Sequence, residues 1–246
     1  HEIGDPFFEV QHLNVPGYVH DVSFSVRRGE IVGFTGLLGD GKDQRVRCLF
    51  GDIPKSAGAI TMDGESVSVS HPAQGKKKGI GYLPSNRKEN AIIKDFSVES
   101  NITVVTLDDL CRGVSLSKKL ERARAQDAQN RLSIKTASLD NLITSLSGGN
   151  QQKVVLSKWL FAKPRLMILS NPTQGVDVGA KNEIYAQIMK LAQAGIGVII
   201  TSGEAQEIIK TCDRALVMYH GKLVGELPRE QLTEENIMIL STGGTL

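Results

Sequence analysis

Glu30-Ile31-Val32-Gly33-Phe34-Thr35 is a β-prone, largely apolar run, and Gly36-Leu37-Leu38-Gly39-Asp40-Gly41-Lys42 follows it directly, before Lys42–Leu49 takes on helical character. No other stretch constrains the fold as tightly. Strand, Gly-x4-Gly-Lys and helix in immediate succession is the pattern of a phosphate-binding loop. Its glycines let the backbone wrap closely, its N–H groups face phosphate oxygens, and the helix N-terminus adds partial positive charge. Lys42 would neutralise β/γ-phosphate charge. The next residue is Asp43, where the pattern calls for a Ser or Thr hydroxyl to ligate Mg²⁺. A carboxylate there could hold the metal but would also repel phosphate. The competing explanation is an ordinary glycine-rich turn, against which the flanking strand and helix weigh.

The rest of the chain divides by texture. Short β-prone runs at Phe7–Leu13, Val22–Val26 and Ala59–Met62 are separated by Pro16-Gly17, Arg28-Gly29 and Gly58, and Asp63-Gly64 signals a tight hairpin. Ile80–Leu83 is one more strand. Ser85–Ser100 is polar and charged, and Lys118–Ser133 reads as an exposed Arg/Gln/Ala-rich helix. From Leu146 a βα rhythm returns: helix Gly149–Phe161, strand Arg165–Leu169, helix Gly179–Gln193, strand Gly197–Thr201, helix Glu204–Thr211, strand Arg214–Met218. Val198-Ile199-Ile200 is continuously apolar, as in a parallel strand covered on both faces. The expected organisation is an α/β core with an N-terminal β subdomain (1–84 and 151–246) and a helical insert (85–150).

Composition excludes several classes. With 246 residues, 40% apolar content and a net charge of +2, the chain can bury a sizeable core and has no excess charge that calls for nucleic acid. Lys76-Lys77-Lys78 is the one marked basic run and reads as a solvated loop. No apolar stretch of about 18 residues reads as a membrane span, and no signal peptide is recognisable. Cys48, Cys111 and Cys212 are odd in number and widely spaced, which suits reduced thiols of a cytosolic protein rather than disulfides or a metal site. The first residue is His1, which fits one half of a longer polypeptide.

Leu146-Ser147-Gly148-Gly149-Asn150-Gln151-Gln152-Lys153-Val154 is the strongest signal. Ser147, Gly148 and Gly149 open a helix and so make a second anion-binding helix start. Two such sites in one domain make sense if the second faces a γ-phosphate held by another subunit. With the phosphate loop at Gly36–Asp43, the strand at Arg165–Leu169 and the turn Gly175-Val176-Asp177, the chain resembles an ATP-binding cassette (ABC) ATPase over nearly its full length. Pro-Thr-x-Gly-Val-Asp-Val-Gly-Ala-Lys and Ser-x-Glu-x-x-Glu-Ile make it similar to the C-terminal cassette of the tandem ATPases of bacterial monosaccharide importers. The resemblance implies a P-loop NTPase core carrying an N-terminal antiparallel β subdomain and an inserted helical subdomain.

The chain departs from that family at Met167-Ile168-Leu169-Ser170-Asn171-Pro172-Thr173. The resemblance puts a Mg²⁺-orienting aspartate at Ser170 and the general-base glutamate at Asn171. Neither replacement accepts a proton at neutral pH, and a positioned base contributes about 10²–10⁴-fold in rate. Gly203 stands in the place of the switch histidine, a change that this branch often carries. Ser85-Asn86-Arg87-Lys88 occupies the Q-loop position, where relatives tend to be acidic. No catalytic or metal-ligating residue is assigned.

The implied cofactor is ATP. Its own site would use Gly36, Leu37, Leu38, Gly39, Asp40, Gly41, Lys42 and Asp43, with Tyr18 as the candidate for stacking adenine because Phe7 and Phe8 look committed to packing. Ser147, Gly148, Gly149 and Gln151 would serve a partner's ATP, with Mg²⁺ expected there and doubtful at the chain's own site. The implied partners are a second cassette, transmembrane permease subunits and, indirectly, a solute-binding protein, with no nucleic acid. The implied place is the cytoplasmic face of the cell membrane. Glu99 and Asp95 fall in the segment that resembles the transporter-contacting surface, although solvated charge is the simpler account of each. Trp159 reads as core. The expected function is that of a sugar-importer cassette that completes its partner's ATP site while its own is degenerate. A non-catalytic nucleotide-sensing or scaffold subunit is the alternative. A competent soluble ABC ATPase of repair or translation fits less well, because the Ser85–Ser145 segment is short for one.

Overall fold

The computed structural model describes the chain except for residues 37–41, and for 42–45 it describes the backbone alone. Elements run β1 (Pro6–Val15), β2 (Val19–Arg27), β3 (Ile31–Gly36), α1 (Lys42–Phe50), β4 (Ala57–Met62), β5 (Glu65–Ser66), α2 (Pro72–Lys77) and β6 (Ile80–Leu83). The middle of the chain holds α3 (Arg87–Asn90), α4 (Val98–Thr103), the short strands β7 (Cys111–Arg112) and β8 (Ser115–Leu116), α5 (Lys118–Leu132) and α6 (Gly148–Leu160). The last part holds β9 (Leu166–Ser170), α7 (Val178–Gln193), β10 (Gly197–Thr201), α8 (Ala205–Thr211), β11 (Arg214–Tyr219), β12 (Lys222–Pro228) and α9 (Glu234–Ser241).

The chain forms two compact units. The first comprises His1–Tyr82, Arg165–Asn171 and Ile188–Leu246. It is built on a six-stranded sheet of order β12-β11-β3-β10-β9-β6 and a four-stranded sheet of order β2-β1-β4-β5. In the larger sheet β10 pairs in parallel with β3 and β9, and every residue of those strands is buried. That is why Ile31-Val32, Leu166–Leu169 and Val198–Ile200 read as unbroken apolar runs: both faces are covered, so no position alternates to water. The smaller sheet is antiparallel, and along β1 the buried Phe8, Val10, Leu13 and Val15 are interleaved with exposed positions. Asp63 and Gly64 both take positive φ in the β4–β5 turn, the geometry that the Asp-Gly pair predicts.

The second unit comprises Leu83–Pro164 and Pro172–Gln187, so α6 and the first part of α7 cluster here rather than with the strands. The α5 helix differs from the exposed helix its composition suggests: Glu121, Ala125, Ala128 and Leu132 make a buried stripe. Two alanines let a neighbour approach closely without a large apolar side chain to announce it. Ser117 caps its N-terminus by accepting from the Leu120 N–H, and Ser133 ends it in the left-handed region at φ 50°. Glu99 is also a correction. It is buried, not solvated, and pairs with Arg122 at 2.6 Å. Asp95 is exposed. In the first unit the basic run is not a loop, since Lys76 and Lys77 close α2, where cations meet the negative end of the helix. Trp159 is half-buried rather than core.

Ile199 lies at the centre of β10 and is fully buried. Ile199→Ala is expected to lower the unfolding free energy by about 2–5 kcal/mol, measured as a fall in the urea midpoint at unchanged slope.

Candidate functional site

In the first unit, the larger sheet brings the carboxyl ends of its parallel strands to one place. Thr201 pairs with both Ser170 and Phe34, so the exits of β3, β9 and β10 are level. Ligands of open α/β sheets sit outside such strand ends. Gly36 ends β3 and α1 starts at Lys42; Leu37, Leu38, Gly39, Asp40 and Gly41, together with the side chains of Lys42 and Asp43, lie outside the described residues.

Ser170 and Asn171 occupy the exit of β9. Ser170 is buried, and its Oγ has no hydrogen-bond partner among the described residues. An orphaned buried hydroxyl costs about 1–3 kcal/mol. Asn171 takes φ 44°, a left-handed conformation that asparagine tolerates better than most side chains. Its N–H donates to the Thr201 carbonyl at 2.7 Å, and its Oδ1 accepts from the Gly203 N–H at 3.4 Å. The structure therefore joins Asn171 and Gly203, and the Asn171 side chain is engaged with backbone. A Cβ on Gly203 would meet nothing within 4 Å, so the space for a larger side chain is open. The described donors at Ser170 and Asn171 are a neutral hydroxyl and a neutral amide. They do not fit Mg²⁺, which is commonly held through one or two carboxylates plus phosphates. Tyr18 sits in the β1–β2 turn, half exposed, and its N–H donates to the Val15 carbonyl at 3.0 Å.

The second unit holds the other candidate site. Ser147 is the N-cap of α6: its Oγ accepts from the Asn150 N–H at 3.4 Å and from Asn150 Nδ2 at 2.9 Å. Asp177 plays the same part for α7, accepting from the Ala180 N–H at 2.9 Å. The two helix starts meet because Gly149 has no side chain; a Cβ there would stand 2.5 Å from that of Ala180. Between them lies a cavity of about 270 Å³ lined by Lys135, Ser147, Asn150, Lys153, Asp177 and Glu183, among others. Two positive helix ends and two lysines make it receptive to an anion, tempered by the two acids.

Lys153 is buried; it donates to the Ser133 carbonyl at 3.0 Å and pairs with Glu183, whose carboxyl that contact holds below its usual range. The Gln151 side chain turns inward, with Nε2 donating to the Leu146 carbonyl at 3.2 Å and Oε1 accepting from Arg87 Nε at 3.4 Å. Asn150, not Gln151, is the amide that lines the cavity. Sequence alone gave neither Lys153 nor Arg87 a role. Lys153 lay inside the quoted motif and Arg87 in the stretch at the Q-loop position, a charged run with nothing to mark it as buried.

No helix among the described residues is long and apolar enough to cross a membrane. Residues 19–174 match the family model described as ABC transporter. The chain is 41% identical over 243 residues to the "Ribose import ATP-binding protein RbsA" of Lactococcus lactis subsp. lactis, covering 99% of this chain and 49% of that protein. It is 42% identical over 243 residues to the protein of the same description from Streptococcus agalactiae serotype III, with the same coverage. The chain thus spans about half the length of the curated relatives it matches. In fold it is similar to the ADP conformation of MJ1267, an ATP-binding cassette of an ABC transporter, at TM-score 0.80 and 18% identity over 97% of this chain and 99% of that one.

Lys158, on α6, is buried with its amine on the Ala91 carbonyl, and burial pulls its pKa down to about 8. The folded state therefore binds this proton less tightly than the unfolded chain, and stability rises as pH climbs through the window from about 8 to 10.5. Across it the wild type is expected to gain about 3 kcal/mol over Lys158→Met, read from urea unfolding of both proteins at each pH.

Proposed function

The chain belongs to the ABC transporter family of ATP-binding cassettes, and from that membership we propose that it is the non-hydrolysing half of an asymmetric cassette pair in a sugar-type importer. Its phosphate loop, Gly36–Asp43 with Tyr18 against the adenine, holds ATP without efficient turnover. Ser147, Gly148 and Gly149 complete the ATP site of a partner cassette, where Mg²⁺ and an intact base do the chemistry. The first unit carries the phosphate loop, and the second, with α6, presents the signature. Closure of the pair at the cytoplasmic face of the membrane moves the permease subunits, which receive solute from a binding protein.

The observation that carries this is a contrast between two strand-and-helix ends. The Ser170-Asn171 pair is neutral, and Asn171 is bonded to the Gly203 N–H. A proton acceptor for the attacking water is missing there, and so is the negative charge that would orient a metal. The Ser147 cap, by contrast, opens on a cavity suited to an anion. Loss of the base alone removes about 10²–10⁴-fold in rate. The match to ribose-import proteins supports a sugar-type solute.

Two measurements test this. The isolated chain is expected to hydrolyse MgATP far more slowly than about 1 s⁻¹, the lower end of ordinary enzyme turnover; turnover at or above that rate would overturn the degenerate site. In the full-length protein with its partner subunits, Ser147→Ala is expected to cut hydrolysis about tenfold or more, on the scale of removing one donor at a developing anion.

A further inference from the structure

We propose that Arg87 is a positioning residue, a buried guanidinium that fixes the turn at Gln174–Gly175 against the start of the signature helix α6. The proposal rests on the reading that this helix start serves a partner's nucleotide. Arg87 opens α3 and is 7% exposed. Its Nη1 donates to the Gln174 carbonyl at 2.6 Å, its Nη2 to the Gly175 carbonyl at 3.0 Å, and its Nε to Gln151 Oε1 at 3.4 Å. One planar group thus joins three segments that are distant in sequence.

The fit is tight. A Cβ on Gly148 would stand 2.5 Å from Arg87 Nη2 and 2.8 Å from the Gly175 carbonyl oxygen. Gly148 therefore has a second duty beyond leaving its N–H open to an anion, which is to let the guanidinium reach the turn. Gly175 takes φ 67°, where a side chain would be strained. The turn itself is exposed at Gln174 and Gly175, and it leads directly to Asp177, the cap of α7. Gln152 holds the Pro172 carbonyl at 2.6 Å, the Val176 N–H reaches the Thr173 carbonyl at 3.3 Å, and Arg87 holds the carbonyls of Gln174 and Gly175.

Among the described residues no carboxylate pairs with Arg87, and burial alone lowers its pKa. The charge is solvated by carbonyl oxygens and left uncompensated behind the N-terminus of α6, where it adds to the helix dipole. Lysine cannot replace it, because a point charge on a flexible stem lacks the planar fork that spans two carbonyls and an amide.

The test uses the full-length protein in membranes with its partner subunits and MgATP as the probe. Arg87→Met and Arg87→Lys are each expected to lower kcat about 10- to 100-fold, the scale of a misplaced but intact group, with KM for MgATP changed less than about threefold. Adding Ser147→Ala to Arg87→Met is expected to cost much less than it does alone, because both act on one site. Urea unfolding identifies any variant that fails to fold, and Arg87→Lys, which keeps the charge and stem, then carries the test. Wild-type kcat in Arg87→Lys overturns the fork, as does full additivity with Ser147→Ala. If Ser147→Ala alone leaves hydrolysis unchanged, the shared reading of the signature fails instead.

Discussion

Burial of the parallel strands β3, β9 and β10 on both faces fixes much else in the first unit. Three adjacent strands with no exposed position cannot slip in register without moving apolar side chains out of a packed layer. Their register sets Ser170 opposite Thr201 and Thr201 opposite Phe34, so the loops leaving the sheet start level. Asn171 and Gly203 are brought together by that alignment, and their hydrogen bond follows from it. The strand exits are aligned, and the side chains that this alignment places there, Ser170 and Asn171, are neutral.

The second unit solves a different problem. It buries several cations with little help from acids. Arg87 and Lys158 rest on backbone carbonyls, and Lys153 divides its ammonium between the Ser133 carbonyl and Glu183. Desolvation is costly for each, and carbonyl dipoles offset only part of it. What the arrangement yields is geometry: the starts of α6 and α7 are held side by side around one cavity. A polar network of this kind specifies one arrangement more sharply than an apolar contact would.

Sequence alone determined the strands at the centre of the larger sheet and the neutral character of Ser170 and Asn171, but not β12 at its edge or the helix α9. Unbroken apolar runs mark strands covered on both faces, Asp63-Gly64 marks its turn, and Ser147-Gly148-Gly149 marks a helix start, because each reports a local constraint carried by adjacent residues. The same is true of Ser170 and Asn171, whose neutrality is a property of the side chains themselves. Tertiary structure alone decided which polar groups are buried and what they hold. Arg87 reaches residues 64 to 88 positions away, Glu99 sinks beside Arg122, and Gln151 turns in while Asn150 faces the cavity. Charge patterns along the chain cannot foretell this, because a charged side chain looks the same in sequence whether water or a distant carbonyl satisfies it; only the packing of remote segments supplies the partner.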